Sequence, residues 1–457
     1  MESVVTAGLA ACEVVLHETM LFAAIMFFIG GIDDLLVDLA YLFCRQPAGL
    51  VTDLPAGATP PLAIFVGAWD EQAVIGAMLT AALRRVDYPD YRIFVGCYPN
   101  DPGTVAAVRA VAAHDPRVRL VVGERAGPTT KADCLNTLWR ALERDDACAG
   151  RRTRAVILHD AEDVLHPCEL RVVAHHLGDH ALVQLPVVPL IDPAAPMVTG
   201  HYADEFALAH AIALPVRNAL GAAMPLAGVG CAIRRDALDR LARATGDAPF
   251  EPASLTEDYE LGLRVAALGF SSRFVRARDA NGTLVAVRAY FPDTVAAAVV
   301  QKARWMTGIA LAGWDRTGWG GRWRLVELWM RMRDRRAPLA VLTLAVGYLA
   351  LVAWGVSMLG HAWLDSAPPA ITDLLAALLS INAALLAWRL LVRARATAHE
   401  HGWREGLRSV PRAVLGNVIA LLAARRAVWR YMGMLAGRAP RWDKTAHRFP
   451  AALPGPA

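Results

Sequence analysis

Three stretches of this chain are apolar over lengths that match the hydrocarbon core of a bilayer: Val14–Ile32, Pro338–Gly360 and Ile371–Val392. A spanning helix needs about 20 predominantly apolar residues, and lipid tolerates only structures that satisfy their own backbone. That divides the chain into helices that fit a membrane and a long central region that folds outside it. Mean hydropathy is +0.33 with 20% charged residues. Such a balance is too apolar for an ordinary soluble enzyme and too charged for a pure transporter.

Arginine placement gives the orientation. Met1–Cys44 holds no Lys or Arg, and neither does His361–Ala370. Arg45, Arg331, Arg333, Arg335, Arg336, Arg389, Arg393 and Arg395 flank the opposite ends of the spans. Loop arginines mark the cytoplasmic side, so the N-terminus is expected outside and the central region in the cytoplasm. The first span has no basic lead-in and no small-residue cleavage site after it, so a membrane helix is expected there rather than a signal peptide. Asp33, Asp34 and Asp38 follow it at helical spacing, as for a helix leaving the hydrocarbon and lying in the interface. Val410–Ala424 is short and ringed by Arg408, Arg412, Arg425, Arg426 and Arg430. It reads as an amphipathic helix on the inner surface, followed by an irregular tail from Trp442.

Four regions are expected: residues 1–50 (a membrane helix and an interfacial helix), 51–337 (the cytoplasmic domain), 338–395 (two membrane helices) and 396–457 (an interfacial helix and tail). Val51–Pro61 is a Pro/Gly/Ala-rich linker. Beyond it, strands are predicted at Leu62–Gly67, Tyr91–Gly96, Val118–Val122 and Ala155–His159. Helices alternate with them at Ala73–Arg85, Thr104–His114 and Ala132–Arg144. This alternation predicts an α/β domain with a mostly parallel sheet and covering helices. Strand carboxyl ends then share one edge, where ligands of open α/β sheets collect.

The chemistry gathers at those ends. The fourth strand runs A-V-I-L-H into Asp160, Glu162 and Asp163. Carboxylates packed this closely repel one another unless a cation shares them, and a hard divalent ion shared with a phosphate is the economical answer. Asp70 and Glu71 follow the first strand, and Asp101 follows the second. Lys131 opens a helix after Gly127-Pro128-Thr129-Thr130, where backbone N–H groups can face phosphate. Thr256-Glu257-Asp258 opens another helix; Thr256 at that position also suits a plain N-cap. Gln301, Arg304 and Trp305 share a helical face, fitting either packing or a guanidinium for diphosphate and an indole for a sugar ring.

The remaining composition excludes more than it assigns. Net charge is +4 and dispersed, so nucleic acid is no partner. Seven cysteines show no C-x-x-C pair and no zinc spacing. Lysines are only Lys131, Lys302 and Lys444, which draws attention to those that sit beside the acids.

The ordered set of strand-end acids, D-x-E-D, T-E-D and Q-x-x-R-W resembles the processive family 2 glycosyltransferases, the group of cellulose and hyaluronan synthases. Phe28–Tyr41, Tyr98–Pro102, Gly127–Asn136, His159–Asp163 and Trp442–Pro450 are more closely similar to the bacterial phage-adsorption protein B family of inner-membrane glycosyltransferases. The resemblance implies a GT-A type domain transferring a sugar, with inversion, from a UDP-sugar to a growing polysaccharide or a lipid-linked acceptor. It implies Asp70, Glu71 and Asp101 at the uridine and Lys131 at the phosphates. Asp160 is implied at the sugar–phosphate, and Asp160, Glu162 and Asp163 around Mg2+ or Mn2+, with Glu162 against Asp163 left open. Asp258 is the implied base, Glu257 its catalytic neighbour, and Gln301, Arg304 and Trp305 bind diphosphate and acceptor. Gly228-Val229-Gly230 is implied to pack against the acceptor. Y-P-N-D replaces the paired Asp common in the group. Family members often continue into a cyclic di-GMP-binding domain, and the resemblance leaves room for an outer-membrane export partner. A non-catalytic docking or assembly protein is the alternative that these departures keep open.

Overall fold

The L-A-I-F-V-G run has no polar face to turn toward water, which suits a strand covered on both sides. In the computed structural model it is the central strand β1 (Leu62–Gly67), buried along its whole length. The structure describes residues 2–44, 48–55, 57, 59–246, 248–320, 324–438 and 447–451. Around β1 lie β2 (Tyr91–Cys97), β3 (Val118–Val122), β4 (Ala155–His159), β5 (Leu182–Gln184), β6 (Val187–Leu190), β7 (Cys231–Arg234), β8 (Ser272–Phe274) and β9 (Val287–Tyr290).

Seven of these form one sheet in the order β3-β2-β1-β4-β7-β5-β8. All its pairings are parallel except the two that β7 makes, with β4 and with β5. β7 therefore starts at the edge where the others end. A separate parallel pair, β6 with β9, lies beside that edge. The first four predicted strands match observed strands to within a residue.

α1 (Glu2–Cys44) precedes the domain. The sheet is covered by α2 (Ile75–Arg85), α3 (Pro102–Ala112) and α4 (Lys131–Cys148). One face of the sheet packs Ile64, Val66 and Ile93 against Met78 and Leu79 of α2. The other packs Phe65 and Phe94 against Leu135, Leu138 and Trp139 of α4. Each such side chain contributes roughly 1.5–3 kcal/mol on burial, so the platform under the carboxyl edge is rigid. Next come α5 (Val198–Leu208), α6 (Glu257–Ala267), α7 (Val295–Met306) and α8 (Leu325–Arg335).

α9 (Ala337–Trp363), α10 (Asp373–His401) and α11 (Trp403–Leu435) complete the fold. Among the described residues four helices, α1 and α9 to α11, are long and apolar enough to cross a membrane. The sequence leads one to expect three. α11 adds the fourth because it runs unbroken for 33 residues through Pro411, where Val410–Ala424 alone is short. Its Ile419, Ala423 and Ala427 are buried against the helices that carry Tyr202 and Ala303.

α1 also passes Asp33, Asp34 and Asp38 without a break. Asp33 accepts from Trp329 Nε1 at 2.6 Å, and Asp34 accepts from Arg333 at 3.0 Å. Asp38 accepts from Trp388 Nε1 at 3.0 Å and from Arg389 at 3.4 Å. These partners lie some 300 positions away along the chain, so no local pattern announces them. Arg45 and the first part of the tail, 442–446, lie outside the described residues.

Candidate active site

At the end of β4 the chain turns so that Asp163 folds back beneath it. Asp163 Oδ2 accepts from the Asp160 backbone N–H at 2.9 Å and meets His159 Nδ1 at 2.9 Å. His159 Nε2 meets Glu169 Oε1 at 2.7 Å. Burial works against a charged imidazole, but Glu169 and Asp163 outweigh it and push His159 up to about 10. His159 is thus a buried imidazolium pinned between two carboxylates, and Asp163 is committed to holding the turn. The turn presents Asp160 and Glu162 to the pocket.

Lys131 Nζ donates to Asp160 Oδ1 across that pocket. It gets there because Thr130 caps α4, accepting from the Asp133 N–H at 3.3 Å. Burial alone disfavours the Asp160 carboxylate, yet Lys131, with help from His447 and Arg304, holds it below the usual range. Glu162 goes the other way. Burial, then the charges of Asp160, Asp163 and Glu71, push it up to about 8 despite His447.

His447 comes from the tail. Its Nδ1 lies 2.8 Å from Glu71 Oε1 and 3.2 Å from Glu162 Oε2, while Glu162 Oε2 is buried without a hydrogen bond of good geometry. Burial opposes its charge, but Glu162 and Glu71 raise His447 to about 9. Ligand atoms of Glu71, Glu162 and His447 fall within 4.8 Å of one another. Two carboxylates and an imidazole nitrogen, with Glu162 Oε2 buried and accepting no hydrogen bond, fit a divalent cation of the Mg2+ or Mn2+ kind.

The reversed strand β7 brings the next group. Gly228 and Gly230, just before it, both adopt positive φ. A Cβ at Gly228 would stand 2.5 Å from Asp258 Oδ2, so the glycine clears the space that this carboxylate occupies. Thr256 does not cap α6. Its Oγ1 is buried without a partner and borders the same pocket as Glu257 and Asp258. Burial raises both acids: Glu257 reaches about 7, with the Asp258 charge adding, while Asp258 is raised against the pull of Lys131.

α7 supplies the far wall. Gln301, Arg304 and Trp305 all line the pocket, and Gln301 Oε1 and Arg304 Nε are buried without partners. Trp305 stands among Tyr202, Phe206 and Phe291, with ring centroids 6.1–6.4 Å away. Lys302 turns away from the pocket to pair with Glu205, lying 5.5 Å over the Trp305 ring. A π-helical turn at Thr307–Leu311 follows, and a Cβ at Gly308 would meet Thr256 Oγ1 at 2.5 Å.

One pocket therefore gathers Glu71, Lys131, Asp160, Glu162, Glu257, Asp258, Gln301, Arg304 and Trp305, along with Asp163 in its floor. Asp70 and Asp101 are not among its lining residues. Asp101 is spent on structure: Oδ2 accepts from the Asp70 N–H at 2.6 Å and Oδ1 from Thr104 at 3.2 Å. Asn100, the departure in Y-P-N-D, exchanges two hydrogen bonds with Gly127 at 2.7 and 2.8 Å and so ties down the loop before Lys131. Sequence reasoning missed His447, Tyr290 and Phe291 as lining residues. His447 sat within a quoted motif, so its signal was present without a role.

The profile described as glycosyltransferase-like family 2 matches residues 60–308. Bacteriophage adsorption protein B of Escherichia coli strain K12 is 35% identical across 94% of this chain. Bacteriophage N4 adsorption protein B of E. coli O157:H7 gives the same figures. The chain spans 61% of the length of each of these relatives. Among solved structures, the Pyrobaculum calidifontis mannosyltransferase PcManGT, in complex with GDP-mannose and Mn2+, has a similar fold. The TM-score is 0.52 and the identity 17%, covering 92% of this chain and 99% of that one.

Proposed function

This chain belongs to the glycosyltransferase-like family 2, and on that premise we propose a membrane-bound, inverting hexosyltransferase that uses a UDP-sugar. The acceptor is a growing surface polysaccharide or a lipid-linked sugar, and the active site faces the cytoplasm of a bacterial inner membrane. The observation that carries this reading is the single pocket in which one lone acid pair, Glu257 and Asp258, faces Asp160, Glu162, Lys131 and Arg304.

Asp258 takes the proton from the acceptor hydroxyl as that oxygen attacks the anomeric carbon. The bond from that carbon to the diphosphate oxygen breaks, and the electron pair leaves with UDP. A positioned base contributes about 10²–10⁴ in rate. With Asp258 acting as a base and no carboxylate attacking the sugar, this reading has one displacement and so inversion. Lys131 and Arg304 bind the departing diphosphate, and Trp305 supports the acceptor ring. Glu71, Glu162 and His447, beside Asp160, would hold Mg2+ or Mn2+, which when bound would supply Lewis-acid neutralisation of the diphosphate.

Membranes carrying the protein, given Mn2+ and a panel of UDP- and GDP-sugars, are expected to release nucleoside diphosphate with one donor, and Asp258→Asn to abolish it. Release unchanged in the variant refutes the role of Asp258. The adsorption role in the relatives' names favours a second reading, a docking protein for an envelope export system. There, Asp258→Asn would leave phage adsorption intact, and its loss rejects that reading.

A further inference from the structure

The Phe28–Tyr41 motif takes no part in the active-site pocket. It builds something else. α9 and α10 both pack along α1, and between them lies a cleft of about 610 Å3. Phe27, Gly30 and Gly31 of α1 border it, with Leu339 and Leu344 of α9 and Leu386 of α10 as walls. The glycines deepen it, and a Cβ on Gly30 would meet nothing within 4 Å. One end is charged: Asp33, Asp34, Arg336 and Arg389 line it.

Asp33 and Asp34 lie in α1, Arg336 immediately precedes α9, and Arg389 lies in the second half of α10. Arg336 donates to Asp33 and Asp34, and Arg389 donates to Asp38. Each guanidinium carries five N–H groups, so donors remain on both. Their side chains are 28% and 34% exposed, open to a ligand at the mouth. From Arg336 to Leu344 the cleft follows eight residues of α9, roughly 12 Å at 1.5 Å per residue. Half of a bilayer's hydrocarbon core is roughly 15 Å.

We propose that this cleft binds one acyl chain of a bilayer phospholipid from the leaflet facing the α/β domain, its phosphate held by Arg336 and Arg389. The depth matches a chain of one leaflet, and the donors match a phosphate at its rim. The proposal rests on the reading that these helices sit in a bilayer, which carbonate-resistant sedimentation with membranes checks separately.

The test is native mass spectrometry of the full chain extracted in mild detergent, with Gly30→Leu as the variant, since Gly30 borders the cleft and a Cβ there meets nothing within 4 Å. Wild type is expected to retain one phospholipid per chain, and Gly30→Leu to lose at least tenfold in occupancy. Ala383→Leu, filling the opposite wall, is expected to do the same if Gly30→Leu is poorly folded. Adding phosphatidylglycerol to delipidated protein is expected to restore binding, and diacylglycerol to fail. Equal retention in both variants, equal binding of diacylglycerol, or preference for a polyprenyl phosphate overturns the proposal. A chain that sediments with membranes yet retains no phospholipid overturns the cleft alone; one absent from membranes overturns both readings.

Discussion

Gly228 adopts φ +81° with Asp258 Oδ2 2.5 Å from where its Cβ would be, so the two residues share one space. Gly228→Ala is expected to cut turnover by about 10²-fold, the low end of what a base supplies, while UDP affinity measured by calorimetry stays unchanged. Equal loss of both would mean the loop had collapsed rather than the base moved. Burial raises Asp258 above the ordinary carboxylate range. A base must be unprotonated to act, so rate falls as pH drops through that raised value. The acid limb of the pH–rate profile is expected above the ordinary Asp value of about 3.9, and a limb at or below it counts against Asp258. At this scale the acids were legible because each stands at a strand end or helix start. Their division of labour was not: only coordinates show Asp163 and Asp101 spent on backbone hydrogen bonds while Glu162 faces His447 in the pocket.

α5, α10 and α11 are joined by charge as well as by packing. Asp204 of α5 accepts from Arg393 at 3.1 Å, from Thr397 at 3.1 Å and from Arg412 at 3.4 Å. Asp204 and Arg412 are fully buried. Arg412 also donates to Glu405, so losing Asp204 removes one of its two carboxylates; breaking a buried pair typically costs about 3–5 kcal/mol, and less where a second partner remains. Asp204→Ala is expected to lower the thermal midpoint markedly in detergent, and a shift within error would show the network to be dispensable. The strands were readable from unbroken apolar runs. α11 was read too short because its arginines suggested exposure, whereas Arg412 finds Asp204 208 positions away.

Taken whole, the chain closes on itself at the active site. His447, beyond α11, returns to Glu71 after β1 and Glu162 after β4. If these three hold the cation, His447→Ala is expected to raise the Mn2+ needed for half-maximal nucleotide release by about 10–100-fold, the range seen for weakened metal-site residues. Chelation with EDTA is expected to abolish release and added Mn2+ to restore it. An unchanged Mn2+ requirement in the variant removes His447 from the site. The sequence by itself determined the alternation of strands and helices, three of the four apolar helices, and the residue types at the carboxyl edge. These follow from local periodicity and from where apolar runs stop. Only the tertiary structure decided that β7 runs backwards, that Asp33 and Asp34 face Arg333 of α8 and Arg336 between α8 and α9, and that a tail histidine joins the acids. Such pairings depend on distance in space between segments hundreds of residues apart, and no local pattern of residues records that distance.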